Sequence, residues 1–397
     1  GEGRNMPLRQ LGLRAMRAHR AVARRAALGT TTASNSSSSP APKPRGSPVG
    51  YTLRLPGLGT EKGSSPVATL NHETEDSARV VPAARAPTRE EIEALAHIVV
   101  ESEKLVVISG AGISTESGIP DYRSPGGAYS KGHKPMMHQQ FVGSELQRQR
   151  YWARSFAGWD QFANKARPNR AHRALAALER EGYVSGLITQ NVDRLHHFAG
   201  SRRIIELHGS THDVVCLDCG HLTCRYDFQR TLRKVNPTFE VFTASTAAAA
   251  AGVDPADVDP VDGPDPRALQ RPDGDTEIGS SVESFTFPGC SECGGVLKPD
   301  VTFFGDSLNP KTAAAAKAEV EAADAVLVIG SSVSVYSAFR LVQAASARGA
   351  PIAIVNAGET RADELATLKI PALAGEVLPR LLRELERADG ALAPREC

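Results

Sequence analysis

The sequence LVVISGAGISTESGIPDYR, residues 105–123, decides the fold of this chain. It begins with a short β-branched run that stops abruptly at small residues, as a buried parallel strand does where it turns toward a helix. Gly110 and Gly112 permit positive φ and leave room for backbone N–H groups to approach a phosphate closely. Ser114 and Thr115 are candidate helix N-caps, which would bring a positive helix end to the same point. The stretch therefore predicts a binding site for the pyrophosphate of a dinucleotide.

This loop differs from the fingerprint of common dehydrogenases. It reads Gly-x-Gly-x-x-Thr, and the dehydrogenase pattern also needs an acidic residue about 20 positions later for the ribose. No Asp or Glu lies between Ser124 and Ser144, which disfavours an ordinary hydride-transfer enzyme. Instead, Asp121 and Arg123 follow a Gly-Ile-Pro bend, so that a carboxylate and a guanidinium lie close to the loop.

Composition indicates an ordinary globular chain. Its 397 residues suffice for one large or two medium domains, and 41% of them are hydrophobic. The net charge of +1 gives no global field that would attract nucleic acid or a membrane surface, and no run of 18 apolar residues predicts a spanning helix. The six cysteines are too few for a disulfide framework in a chain of this length, and their spacing favours a metal.

Residues 1–45 have the composition of a targeting segment. Six arginines between Arg9 and Arg25 interleave with apolar residues, no Asp or Glu occurs from Gly3 to Thr60, and a Ser/Thr tract follows. Such a composition is typical of a transit peptide and predicts the mitochondrial matrix, with the plastid as the alternative. A basic tail that binds anionic partners is the other interpretation. Residues 46–87, rich in Pro, Gly and Ser, are predicted to be a linker.

Alternating strands and helices predict the architecture of the ordered part. A capping box at Thr88 and Glu91 opens a first helix that runs to about Ser102. Apolar runs at 105–109, 184–189, 204–207, 301–304, 325–329 and 351–355 alternate with helical segments, as in a doubly wound, parallel α/β sheet of Rossmann type. Such sheets bind ligands at the carboxyl ends of their strands.

This Rossmann-like domain is predicted to comprise residues 88–215 and 296–385, followed by a tail at 386–397. A helical insertion is expected at about 125–165. Its aromatic residues, spaced at three to four, are expected to fill a small helical core; they are Tyr151, Trp152, Phe156, Trp159 and Phe162.

Two Cys-x-x-Cys pairs, Cys216/Cys219 and Cys290/Cys293, predict a zinc module over residues 216–295. Four thiolates at this spacing fill every position around a tetrahedral Zn²⁺, which makes a structural site and not a catalytic one. Two unrelated pairs of reduced cysteines are the alternative, and Cys224 is a candidate spare ligand. Between the pairs, residues 235–282 are rich in Asp and Pro; we expect a disordered insertion or an acidic loop that binds a partner.

Several motifs together resemble the sirtuins, the NAD-dependent protein-lysine deacylases. They are the Gly-Ala-Gly-Ile-Ser loop, Gln190 to Asp193, His208-Gly209, the paired Cys-x-x-Cys, Phe-Phe-Gly-Asp at 303–306 and Gly330 to Ser332, all in family order. The resemblance covers about residues 90–230 and 285–380. Within the family, Tyr151-Trp-Ala-Arg154 and Val335-Tyr-Ser337 look most like the class II mitochondrial branch of sirtuin four.

The resemblance implies a catalytic base and a set of NAD contacts. His208 would remove a proton from a ribose hydroxyl after nicotinamide leaves, and the acyl group would pass from lysine to ADP-ribose. Asp193 would accept a hydrogen bond from the carboxamide of NAD. The implied cofactor-binding residues are Gly110, Ala111, Gly112, Ser114, Ile119, Pro120, Asp121, Tyr122, Arg123, Gln190, Asn191, Val192, Asp193, Gly330, Ser331, Ser332, Asn356, Ala357, Gly358 and Ala374.

The implied substrates are acyl-lysine proteins, bound as an added strand between Val301–Gly305 and Ser332–Tyr336. Succinyl-selective relatives clamp an acidic acyl group with a Tyr-x-x-Arg pair, which is absent after Tyr129, so strong desuccinylation is not expected. Removal of branched or dicarboxylic acyl groups, lipoamidase activity and protein mono-ADP-ribosyltransferase activity stay open, as does a non-catalytic NAD-sensing adaptor. No nucleic-acid or membrane partner is expected, and the sequence leaves the oligomeric state and the preferred acyl group open.

Overall fold

The structure, a computed structural model, describes residues 80–239, 271–276, 278 and 282–390. The predicted transit peptide at 1–45, the linker up to residue 79, residues 240–270 of the insertion and the tail from 391 lie outside the described residues. Among the helices that are described, none combines the length and the apolar character needed to span a membrane.

The described residues form two sheets and a set of helices that connect their strands. The strands are β1 Leu105–Ser109, β2 Gly186–Thr189, β3 Ile204–Glu206, β4 Gly209–Cys216, β5 Leu222–Cys224, β6 Leu297–Val301, β7 Ala325–Ile329, β8 Ile352–Val355 and β9 Leu368–Ile370. The α-helices are α1 Arg89–Glu101, α2 His138–Gly143, α3 Glu145–Trp159, α4 Arg170–Arg180, α5 Leu195–Phe198, α6 Arg225–Val235, α7 Pro310–Glu321, α8 Tyr336–Ser346 and α9 Ala374–Gly390.

The larger sheet is parallel throughout and has the strand order β3-β2-β1-β7-β8-β9. Every residue of β1, β2, β7 and β8 is buried, because helices cover both faces of a doubly wound sheet. Helices α7 and α8 pack against alternate residues of the central strands, such as Val106 and Val326, while α9 packs against α1 and α4. The predicted fold class is confirmed.

The smaller sheet has the order β5-β4-β6 and is antiparallel. The sequence analysis assigned residues 301–304 to a strand of the parallel sheet, and this assignment is wrong. The strand is Leu297–Val301, and it pairs with β4, where Cys216 lies opposite Leu297. An apolar run does not specify its partner, and here the two cysteine pairs hold β4 and β6 side by side.

Of the predicted helix N-termini, the one at Thr88 is confirmed and the one at Ser114 and Thr115 is wrong. The capping box of α1 is confirmed, because Glu91 N–H donates to Thr88 Oγ1 at 3.2 Å and Thr88 N–H donates to Glu91 Oε2 at 2.8 Å. Ser114 and Thr115 are not N-caps. They lie inside a short 3₁₀ helix, Ala111–Ser117, which Gly110 precedes.

The aromatic residues of the helical insertion are buried, as predicted. Their core extends further than a small helical module, since it includes side chains of the zinc module and of the segment after β6. Tyr151 packs edge-on against Phe303, and the buried guanidinium of Arg225 lies 4.4 Å from the ring centre of Trp159. Within the insertion, residues 125–132 form turns and bends, Met137 forms an isolated parallel bridge with Phe304, and helices begin only at His138.

Candidate active site

A cavity of about 750 Å³ lies at the carboxyl ends of β1, β2, β7 and β8, which is the edge where doubly wound sheets bind ligands. Its volume is within the range of small-molecule and cofactor sites. His208 and all but one of the implied NAD contacts line this cavity. The exception is Pro120, which is buried beside Ile119 and does not reach the cavity wall.

The glycine loop after β1 packs directly on the loop after β7. The N–H of Gly112 donates to the Gly330 carbonyl at 2.8 Å, and a Cβ atom on Gly112 would lie 2.8 Å from that oxygen. A Cβ atom on Gly110 would lie 2.7 Å from Ser331 Cβ. Neither Gly110 nor Gly112 has a positive φ, although Gly330 does, at 55°. The two glycines are therefore required by the close approach of the loops, and their freedom to adopt positive φ is not used.

Three polar side chains form a buried cluster at the end of β2. Ser114 Oγ donates to Asp193 Oδ2 at 2.7 Å, and Asn191 Nδ2 donates to Ser114 Oγ at 3.1 Å. Asp193 Oδ1 accepts from the N–H of Leu195 at 2.9 Å. Burial raises the pKa of Asp193, and these hydrogen bonds oppose the rise. The cluster holds the carboxyl group in one orientation at the cavity wall.

Gln190 links β1 to the loop after β7. Its side-chain N–H groups donate to the Ser109 carbonyl at 3.1 Å and to Ser331 Oγ at 2.8 Å. Ser331 Oγ also accepts from the N–H of Val333, whose φ is 41°. A β-branched residue rarely adopts this conformation, so the surrounding contacts hold a strained backbone at the cavity.

His208 lies between β3 and β4, with its ring in the cavity wall. The ring Nδ1 is 3.1 Å from the Gln190 carbonyl oxygen, which can only accept, so Nδ1 carries the proton. Nε2 is then the basic nitrogen, and it lies 2.9 Å from Ser337 Oγ. Burial lowers the pKa of His208, and the bond to Gln190 opposes this. The imidazole is therefore held neutral, as a general base must be.

The glycine after His208 is required by its surroundings. Gly209 has a φ of 79°, and a Cβ atom there would lie 2.0 Å from the carbonyl oxygen of Asp300 on β6. The two strands thus meet at this point too closely for any side chain. This contact fixes the backbone next to the catalytic candidate.

The loop after Ile119 is held by Asp121. Its Oδ1 accepts from the N–H groups of Arg123 at 2.9 Å and Ser124 at 2.8 Å. The Arg123 guanidinium lies 5.3 Å from the ring centre of Tyr129, and burial raises the pKa of Tyr122 well above its ordinary value. Asp121 therefore shapes this loop from within while also lining the cavity.

The far side of the cavity is formed by the loop after β8 and the start of α9. Asn356 Nδ2 donates to the Gly358 carbonyl at 3.0 Å. Ala374 begins α9, and the N–H of Gly375 donates to Glu116 Oε2 at 2.8 Å. Glu116 thereby ties the glycine loop to the first turn of α9.

The cavity also contains residues that the sequence analysis missed. Pro82 and Ala83 come from the predicted linker, Pro272 and Asp273 from the predicted insertion, and Ser337 from α8. The composition of a linker or a polar insertion does not indicate a binding site, so the sequence could not predict Pro82, Ala83, Pro272 and Asp273 as cavity residues. Ser337 belonged to a family-like segment, but only the fold shows that its hydroxyl contacts His208.

The four predicted zinc ligands come together. All four sulfur atoms lie within 4.8 Å of one another, with Cys216 Sγ 3.5 Å from Cys293 Sγ and Cys219 Sγ 3.7 Å from Cys290 Sγ. Zn–S bonds of about 2.3 Å in a tetrahedron require sulfur separations of about 3.8 Å. The cluster fits one structural Zn²⁺, and Cys224 is not part of it.

This chain is similar in sequence to known proteins over most of its described residues. The Sir2 family pattern matches residues 110–337. The NAD-dependent protein deacylase SRT2 of Arabidopsis thaliana is 49% identical over 306 residues, which are 77% of this chain and 79% of that protein. The human NAD-dependent protein lipoamidase sirtuin-4, mitochondrial, is 45% identical over 302 residues, covering 75% of this chain and 88% of that protein.

Two solved structures extend this likeness to the fold. One, described as the structural basis for the mechanism and regulation of Sir2 enzymes, is 33% identical with a TM-score of 0.56, over 76% of this chain and 99% of that chain. The other, Sir2 bound to acetylated peptide, is 27% identical with a TM-score of 0.55, over 74% and 98%. The fold and the cavity define a dinucleotide-binding α/β enzyme with a structural zinc module. The chain belongs to the Sir2 family, as its motifs indicated.

Proposed function

We propose that this protein is an NAD-dependent protein-lysine deacylase that transfers the acyl group from lysine to ADP-ribose and releases nicotinamide. The observation that carries the proposal is the position of His208, which lines the same cavity as the glycine loop while the Gln190 carbonyl holds its Nδ1 and leaves Nε2 as the basic nitrogen. The names of the Arabidopsis and human relatives, a deacylase and a lipoamidase, support the same reaction class.

Residues of this chain would have distinct roles in that reaction. NAD, when bound, supplies the ribose carbon that the acyl oxygen attacks as nicotinamide leaves. Gly110 and Gly112 would give the pyrophosphate access to backbone N–H groups. Asp193 would accept a hydrogen bond from the carboxamide, and His208 Nε2 would take the proton of a ribose hydroxyl. A base in this position contributes on the order of 10²–10⁴ in rate.

The substrate peptide would add a strand between Val301–Gly305 and Ser332–Tyr336, both of which line the cavity. Some backbone groups there are already paired: Phe304 O accepts from His138 N–H at 2.9 Å, and Ser332 O accepts from Arg361 N–H at 2.9 Å. The peptide would therefore use the groups that face the cavity between the two segments. Recognition through the main chain implies weak preference for local sequence.

We also propose that the protein acts in the mitochondrial matrix. Its first 45 residues have the composition of a transit peptide, and the human relative carries the word mitochondrial in its name. Fusion of residues 1–87 to a fluorescent protein tests this: import into mitochondria is expected, and a diffuse or plastid signal would contradict the proposal.

The enzymatic proposal is tested by incubating the protein with NAD and a panel of acetyl-, branched-acyl-, glutaryl- and lipoyl-lysine peptides. Free nicotinamide together with O-acyl-ADP-ribose is the expected result for at least one peptide. A gain in mass of a protein substrate, without deacylation, would instead indicate mono-ADP-ribosyltransferase activity. NAD binding without nicotinamide release from any peptide would indicate a non-catalytic NAD sensor.

A further inference from the structure

The described end of the predicted insertion, Arg271–Thr276, packs against the helical module; we name it the acidic finger. Asp275 Oδ1 accepts from Arg154 Nη2 at 3.0 Å and from Arg271 Nη1 at 2.6 Å, and the carboxyl group is buried. This differs from the disorder expected for the insertion. Polar composition predicted a solvated loop, but the ion pair between Asp275 and Arg154 of α3 fixes its end.

Close packing of glycines holds the acidic finger in place. Gly274 has a φ of 81° and lies against the ring of Phe162, where a Cβ atom would be 2.9 Å from the ring. From the other side, a Cβ atom on Gly158 of α3 would lie 2.3 Å from the Gly274 carbonyl oxygen. Two contacts that exclude even a methyl group define one position for the finger on α3.

At the tip of the acidic finger, Pro272 and Asp273 form part of the cavity wall. Burial raises the pKa values of Tyr122, Tyr129 and Tyr151, and the nearby carboxyl group of Asp273 adds to each rise. Tyr122 lines the cavity, and Tyr151 packs on Phe303, which belongs to the proposed peptide-binding segment. Asp273 therefore lines the same cavity as the loop after Ile119 and the proposed peptide-binding segment.

The carboxyl group of Asp273 has hydrogen-bonding capacity left over. Its Oδ1 is buried and has no hydrogen-bond partner among the described residues. Burial raises the pKa of Asp273, and the charge of Arg271 together with backbone N–H groups opposes this rise. The guanidinium groups of Arg154 and Arg271 themselves bond Asp275, and the Arg123 guanidinium lies over Tyr129. A buried carboxyl oxygen without a partner is costly, and a ligand that donates a hydrogen bond would remove this cost.

We propose that Asp273 is a specificity-determining residue of the deacylase: it disfavours acyl groups that end in a carboxylate and favours uncharged acyl groups that end in a hydrogen-bond donor. The inference rests on the proposed function. A carboxylate brought close to the Asp273 carboxylate in the same cavity is repelled by it. Where succinyl-selective relatives place an arginine, three residues after the tyrosine, this chain has Gly132, which supplies no cation at that position.

The experiment compares two acyl groups of nearly the same shape on one peptide sequence. Glutaryl-lysine ends in a carboxylate, and its carboxamide analogue ends in an uncharged NH₂ donor. kcat/KM is measured for both, with acetyl-lysine as reference, for the wild type, Asp273→Asn and the control Asp227→Asn. Asp227 is an exposed residue of α6 paired with Arg230, so its variant removes one negative charge outside the cavity.

The wild type and Asp227→Asn are expected to prefer the carboxamide over glutaryl by about tenfold or more, and Asp273→Asn is expected to reduce this ratio by about tenfold. An unchanged ratio in Asp273→Asn would overturn the proposal. If Asp273→Asn does not fold, the ratio of kcat/KM for the carboxamide peptide to that for the glutaryl peptide in the wild type tests the proposal by itself. A wild-type preference for the glutaryl peptide contradicts it. Turnover of acetyl-lysine distinguishes failure of the proposed function from failure of the proposed role of Asp273. If the wild type does not turn over acetyl-lysine, the deacylase proposal fails. If it does, an unchanged ratio overturns only the role of Asp273.

Discussion

Ser337 offers a direct way to perturb the catalytic base without touching it. Its hydroxyl lies 2.9 Å from His208 Nε2 and, because Nδ1 carries the ring proton, it donates to the Nε2 lone pair. Only the neutral imidazole has that lone pair, so the bond stabilises the neutral form and lowers the pKa of His208. Replacement of Ser337 by alanine is therefore expected to raise this pKa.

The size of the shift follows from the value of one hydrogen bond. A net contribution of about 0.5–1.5 kcal/mol, at about 1.4 kcal/mol for each pKa unit, corresponds to roughly half to one unit. Burial still lowers the pKa of His208 in the variant. The base works when neutral, and activity therefore rises with pH through this pKa.

The assay is the pH dependence of kcat/KM for deacylation, which reports the pKa of the free enzyme. In Ser337→Ala the acidic limb is expected to move to higher pH by roughly half to one unit, while the plateau at high pH is retained. Ser346→Ala, on the same helix, is the matched control and should leave the profile unchanged. An acidic limb that stays in place, or moves to lower pH, would refute the assignment of Nε2 as the base.

Three further predictions concern stability. His212 is buried among aromatic rings, and burial lowers its pKa from 6.5 to about 4. As pH falls below 6.5, the unfolded chain therefore binds a proton at this residue before the folded chain does, and the wild type loses stability. His212→Phe has no such group, so its unfolding free energy, measured by urea denaturation, should fall by about 2 kcal/mol less than that of the wild type between pH 7 and 5. Gly209→Ala should lower the free energy of unfolding several-fold more than Gly349→Ala. Both positions have positive φ, but only at Gly209 would the new Cβ atom overlap a backbone atom. Equal melting temperatures of the two variants would contradict this. Elemental analysis should find one zinc per chain, and chelation should lower the melting temperature; a folded, zinc-free protein of unchanged stability would exclude a structural role.

Much of the fold could be predicted because local pattern and burial agree. The strands at 105–109 and 325–329 are β-branched runs that end at small residues, and both became central strands of the parallel sheet. The strand around 297–301 was misplaced because Lys298 and Pro299 interrupt its apolar pattern, and its antiparallel partner is set by the cysteine cluster. The short edge strand at 368–370 has three residues, too few to show a period.

Only part of the candidate site could be predicted from the sequence. Residues in contiguous motifs, such as Gln190 to Asp193, lie together because the ends of parallel strands meet at one edge. The reason for Gly110 and Gly112 was not visible, since it depends on a loop more than 200 residues away in the sequence. Asp273 was also beyond prediction, because a polar insertion shows no sign that Arg154 of a distant helix will bond its end.

The most direct test of the central claim compares His208→Ala with the wild type for two quantities, NAD affinity and the rate of O-acyl-ADP-ribose formation. His97→Ala, which alters an exposed histidine of α1, is the control. We predict that His208→Ala retains NAD binding while product formation falls on the order of 10²–10⁴-fold, and that His97→Ala behaves as the wild type does. Product formation at the wild-type rate in His208→Ala would contradict it.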